Sequence, residues 1–102
     1  MINIEISKSK NKNKKYDALI NQNNKKKTLS FGQNNASDFT INKSEERKKL
    51  YIARHQKNEI WNFNNKITPG GLSKNLLWNK TTLKNSINDI NNKFKNINIS
   101  MK

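Results

Sequence analysis

Thr82-Leu83-Lys84-Asn85-Ser86-Ile87-Asn88-Asp89-Ile90-Asn91-Asn92-Lys93-Phe94 sets its apolar residues at spacings of four, three and four. That period draws one stripe about 100° wide along an α-helix, a face that has to be buried against something. Thr81 or Thr82 supplies the side-chain oxygen for the free N–H groups at its start, and Ile97 extends the stripe if the helix continues. The opposite end of the chain has the other period. Ile2, Ile4 and Ile6 alternate with polar residues in a short half-buried strand. Tyr16, Ala18 and Ile20 share one face of a second strand, with Leu19 on the reverse, and Thr28-Leu29-Ser30-Phe31 forms a partner that stops at Gly32. Residues 21–27 join these two as a polar loop, longer than the tight two-residue kind. A hairpin is marginal alone and needs a helix against its apolar face. The expected class is therefore α+β, a small N-terminal antiparallel sheet (a hairpin) packed against about three C-terminal helices.

The middle of the chain supplies the other helices. Ser37, Asp38, Thr40 and Asn42 are good acceptors for a helix start, and Asn42 with Glu45 has the spacing of a capping box. A helix over residues 44–62 would carry Leu50, Ala53, Ile60 and Trp61 in one stripe, with Glu45 and Lys49 four apart on its exposed side. Thr68-Pro69-Gly70-Gly71 reads as the strongest breaker in the chain. A short helix over 73–78 follows, carrying Leu76 and Leu77, with Leu72 just before it. Residues 7–15 contain no apolar side chain and read as a solvated linker or flexible arm. The expected organisation is a basic arm with a possible short strand over 1–15, one domain over 16–97, and a tail over 98–102.

One hundred and two residues suit a single modest core. Hydrophobic residues make up 31% and charged residues 27%, close to the balance at which burial only just offsets the ordering entropy. No apolar run is long enough to span a membrane. The N-terminus lacks the basic and apolar regions of a signal peptide, so secretion is not expected. The absence of cysteine fits a reducing compartment. Twenty-one asparagines, with the many lysines and isoleucines, match an A+T-rich coding background, against which Gly, Pro, Ala, Arg and Trp stand out.

Charge narrows the function classes most. Twenty-one Lys and Arg against seven Asp and Glu give +14, of which +9 lies in residues 1–57 and +5 in the remainder. Such an excess attracts nucleic acid, anionic membrane surfaces or acidic proteins. Catalysis finds little support. The one histidine, His55, has Tyr51 a turn before it and Glu59 a turn after, the pattern of a helix-surface pair as much as of a proton-transfer pair. No metal-ligand set, cofactor motif or phosphate-cradling glycine loop is present. No catalytic residue, metal or cofactor is expected.

The candidate polyanion-binding residues are Arg47, Lys48, Lys49, Arg54 and Lys57 on the basic helix, with Lys8, Lys10, Lys12, Lys14 and Lys15 in the arm. Arg47 and Arg54 are the only arginines and stand two turns apart on one helical face. A guanidinium fork grips phosphate or carboxylate bidentately, where lysine acts as a point charge. Two readings stand: the pair docks a phosphate backbone or an acidic partner, or one of them ties to Asp38 or Glu59 inside the domain. Trp61, Phe63 and Trp78 could stack on single-stranded bases, though aromatics beside leucines more often belong to a core.

Tyr16-Asp17-Ala18, Phe31-Gly32, Ser37-Asp38-Phe39-Thr40, Glu46-Arg47-Lys48, Tyr51-Ile52-Ala53-Arg54-His55, Asn58-Glu59-Ile60-Trp61 and Leu76-Leu77-Trp78-Asn79-Lys80 follow in this order. Together they resemble a family of small, basic, uncharacterised proteins of nucleocytoplasmic large DNA viruses, the algal and amoebal giant viruses. The resemblance spans residues 15–94 and implies a place in the virion or the infected cell, in the viral factory, cytoplasm or nucleus. It brings no activity, cofactor or site. The expected function is a viral accessory protein that binds a polyanion, nucleic acid without sequence specificity. The alternative is a minor virion component that binds an acidic protein.

Overall fold

The computed structural model describes residues 2–34, 36–56, 63 and 67–102. It is an α+β fold, as its two periodicities require. Four strands, β1 (Ile2–Lys8), β2 (Lys14–Gln22), β3 (Lys25–Gln33) and β4 (Ile97–Met101), form one sheet in the order β3-β2-β1-β4. Both hairpin pairs are antiparallel, and β4 lies parallel to β1 with Ile4 opposite Ile99. The helices are α1 (Phe39–Asn42), α2 (Glu45–His55), α3 (Pro69–Leu72) and α4 (Leu83–Lys93), with a π-helical turn (Ser73–Leu77) continuing α3.

The core lies between one face of the sheet and the helices. Ile4, Ile6, Ala18, Ile20, Phe31, Ile97 and Ile99 point from the strands toward Phe63, Leu72, Leu76, Leu77, Ile87 and Ile90, all of them buried. Each side chain of this size contributes about 1.5–3 kcal/mol when fully buried, so this one interface carries the stability of the domain. Leu83, Ile87, Ile90 and Phe94 line the stripe read from the sequence, and the Thr82 hydroxyl accepts the Asn85 N–H.

The structure departs from the sequence reading in several places. Residues 7–15 are not an arm. β1 and β2 extend into this tract, and the five residues between them close a bonded turn. In it the Lys14 N–H reaches the Asn11 carbonyl and the Ser9 N–H reaches the Lys15 carbonyl, each at 3.1 Å. Asn and Ser side chains supply the local acceptors that an apolar count does not register, including Asn11 Oδ1 for the Asn13 N–H at 2.9 Å. The second connection is also shorter than expected, only Asn23 and Asn24, with φ of 53° and 64°. Two left-handed residues in succession make the turn whose twist suits a hairpin, and asparagine tolerates that region better than most residues.

Ile97 does not prolong α4. Phe94 ends the helix in extended backbone, and Ile97 and Ile99 turn inward from β4, so residues 98–101 belong to the sheet rather than to a tail. The outer edge of β4 is occupied by one side chain. Asn91 of α4 donates from Nδ2 to the Ile99 carbonyl at 3.0 Å and accepts the Ile99 N–H on Oδ1 at 2.8 Å.

Thr68-Pro69-Gly70-Gly71 starts a helix instead of breaking one. Proline at the first helical position sacrifices no hydrogen bond there, and the Thr68 hydroxyl accepts the Gly71 N–H at 3.0 Å. The π turn that follows is closed by Trp78 N–H to Ser73 carbonyl at 3.2 Å, and it buries Leu76 and Leu77 side by side. It packs closely on β3. A Cβ at Gly32, whose φ is +79°, would stand 2.7 Å from Leu77 Cδ1.

Candidate polyanion interface

Building α2 begins with its start. Ser44, not Asn42, is the N-cap, its hydroxyl accepting the Arg47 N–H at 3.2 Å. Asn42 instead accepts the Ser44 N–H at 2.8 Å, bending the chain between α1 and α2 with Lys43 left-handed. Two residues of the expected apolar stripe are not buried. Leu50 and Ala53 are exposed, and the side chain that anchors α2 is Tyr51, stacked on Trp78 with ring centroids 4.5 Å apart and planes 8° from parallel. His55 rests on the same tyrosine at 4.4 Å. One flat aromatic ring thus does more to seat this helix than two small or exposed apolar residues. Ile60, Trp61, Lys57 and Glu59 fall outside the described residues, as does any helix beyond Gln56.

The basic residues separate into roles. Arg47 and Arg54 are exposed and lie with Leu50 along one face of α2. These three, with Ala36, Ser37 and Trp78, line a groove of about 460 Å³. Asp38, one expected internal partner for an arginine, is taken by Lys15. Their ion pair is nearly buried, with side-chain exposures of 12% and 3%. Asp38 also caps α1, accepting the Thr40 N–H at 2.8 Å. Lys15 is therefore held in place by Asp38 rather than free at the surface.

Lys48 is structural too. Its ammonium donates to the Asn79 carbonyl at 2.7 Å and sits 4.9 Å from the centre of the Phe39 ring, tying α2 to the segment after the π turn. Lys49 is exposed, about 200° around the helix from Arg47 at 100° per residue, so it faces away from the groove. Lys8, Lys10 and Lys12 are exposed at the β1–β2 turn, and Lys14 there is half-buried. Lys25, Lys26 and Lys27, absent from the candidates named above, are all exposed beside the β2–β3 turn. Their signal was a run of three lysines next to Asn23-Asn24, hidden in a sequence rich in both letters. The nine residues of β2 separate the two lysine-rich turns by about 27 Å.

Several acids are spent inside the domain. Asp17, on the outer face of the sheet, accepts the hydroxyls of Ser30 at 2.6 Å and Ser9 at 2.7 Å, and these hold its carboxyl below the usual carboxylate range. Asp89 is lowered likewise, first by the Asn79 amide at 2.8 Å and then by Lys93 at 3.1 Å. Burial, followed by the neighbouring Lys93 and Lys48, lowers the Lys74 ammonium from the usual lysine range. With Asp17, Asp38 and Asp89 so engaged, the exposed surface keeps the cationic excess.

Among the described residues, no group of three or more His, Asp or Glu is placed to hold a metal ion. No described helix is long and apolar enough to cross a membrane.

A family of unknown function (DUF5754) matches residues 4–55, just over half of the chain. The chain belongs to that family. The matched span runs from β1 to the last residue of α2, so it includes the Lys15–Asp38 pair and both arginines but not Trp78. No curated protein and no solved structure matches the chain.

Proposed function

We propose that this protein is an accessory factor that binds nucleic acid without sequence specificity. The observation that carries the reading is the surface left when Asp17, Asp38 and Asp89 are engaged internally. It exposes lysines at both hairpin turns and two arginines on α2, which have no ion-pair partner among the described residues. Cations set about 27 Å apart across the sheet suit an extended polyanion better than a small anion, because no one cluster gathers most of the charge. The viral setting suggested by the sequence resemblance belongs to the same proposal, with the protein acting on the genome in the virion or infected cell.

The test is binding of a random-sequence DNA duplex followed by a salt titration. Counterion release lowers affinity by roughly 10³-fold or more between 50 and 200 mM salt if six or more phosphates are neutralised. An affinity indifferent to salt, or no binding at low salt, refutes the proposal. An acidic protein partner is the reading that then remains.

A further inference from the structure

We propose that the groove beside α2 is a single-strand site, where Trp78 stacks on an unpaired base and Arg47 and Arg54 hold the phosphates on either side. This deepens the nucleic-acid reading and rests on it. Trp78 is half-buried, and Tyr51 stacks on one of its faces, with His55 beyond. Tyr51 touches both other rings, and Trp78, which also packs against the core, lines the groove together with Arg47, Arg54, Leu50, Ala36 and Ser37. A base placed against Trp78 there would meet a ring that Tyr51 already holds in place.

Charge and shape choose the occupant. Arg47 and Arg54 are seven residues apart, about 10 Å along the helix, with Leu50 between them. Leu50 is 56% exposed, an apolar side chain between two cations. Sugar and base edges provide an apolar partner for Leu50 while the phosphates meet the guanidinium forks. A second cavity of about 340 Å³ shares Ala36, Ser37, Arg54 and Trp78 with the first, so the cleft continues past the tryptophan. A duplex keeps its bases stacked inside and can offer this cleft only phosphates. An extended strand can offer both.

The experiment compares three fluorescent probes of nearly equal phosphate number by anisotropy: a twenty-residue oligothymidylate, an abasic oligomer of the same length, and a ten-base-pair duplex. Stacking on an aromatic ring is worth a factor of roughly 5 to 150 per base. The oligothymidylate is expected to bind at least about five-fold tighter than either other probe, and Trp78→Leu should lower oligothymidylate binding by a larger factor than abasic binding. The wild-type comparison needs no variant, so it stands even if Trp78→Leu does not fold. Arg54→Gln should weaken oligothymidylate binding more than Lys49→Gln, which removes the same charge from the far side of the helix. Equal affinity for all three probes overturns the single-strand site and leaves the polyanion reading intact. Equal losses from Arg54→Gln and Lys49→Gln overturn the groove as its seat. Binding of none of the probes at low salt overturns both readings.

Discussion

Replacing Asp38 with alanine should come close to unfolding this protein. The carboxylate faces Lys15 in a largely buried contact and also caps α1. Its removal strands the ammonium of Lys15 among buried groups, and breaking a buried pair from one side costs about 3–5 kcal/mol. Losing the N-cap acceptor adds about 0.5–2 kcal/mol. A domain of this size has about 5–15 kcal/mol in all. Each kcal/mol lowers the melting temperature by about 4–8 °C at this length, so Asp38→Ala should melt at least about 12 °C below the parent. Lys15→Met should be milder. It leaves the carboxylate with both Thr40 donors, the backbone N–H and the hydroxyl. The double variant Lys15→Met with Asp38→Asn removes both charges and should recover much of the loss. Thermal denaturation followed by far-ultraviolet circular dichroism reads all three. If Asp38→Ala stays within about 0.5 kcal/mol of the parent, as ordinary surface changes do, the contact is not the buried pair described here.

Two further outcomes follow from the geometry. Asn24→Val should cost about 1–2 kcal/mol in a urea titration, because a β-branched residue is forced into the left-handed region, whereas Asn24→Gly should be neutral or stabilising. Acid should destabilise the fold through Asp17 and Asp89, whose carboxyls titrate lower when folded than when unfolded. Their contribution is complete above about pH 5 and is lost progressively as pH falls through the depressed folded values. A denaturation series from pH 7 to pH 2 should show that slope, and Asp17→Asn with Asp89→Asn should flatten it.

Wherever one period dominated, the sequence was legible. The inward alternation of β1 and β2 and the stripe of α4 could be read directly, because an apolar face has one destination. β4 was not legible, since Ile97 fits a helical stripe behind Ile90 and Phe94 as well as it fits a strand. Only its pairing with β1, more than ninety residues away, separates the two. The Asn23-Asn24 turn was hidden for a different reason. In a chain with 21 asparagines, two in a row carry little weight until their backbone angles are known. The candidate site divided along the same line. Two arginines among many lysines were conspicuous, and their shared face with Leu50 follows from helical geometry alone. Lys15 and Lys48 look like their neighbours in sequence, and only tertiary contacts separate them as structural. Trp78 read as core and does pack against it, while its further place at the edge of the groove depends on the π turn before it.

The side-chain amide of Asn91 presents to Ile99 the same donor and acceptor that another strand would present, and so closes the β4 end of the sheet. The β3 end has no such plug among the described residues, but it carries the exposed Lys25, Lys26 and Lys27, whose like charges oppose edge-to-edge pairing. The two ends are thus guarded by unlike means. The amide is indifferent to ionic strength, while repulsion between lysines fades as salt or a bound polyanion neutralises them. Strand addition would therefore meet a fixed amide at one end and only a screened charge at the other, which gives the sheet a polarity that its strand order alone does not reveal.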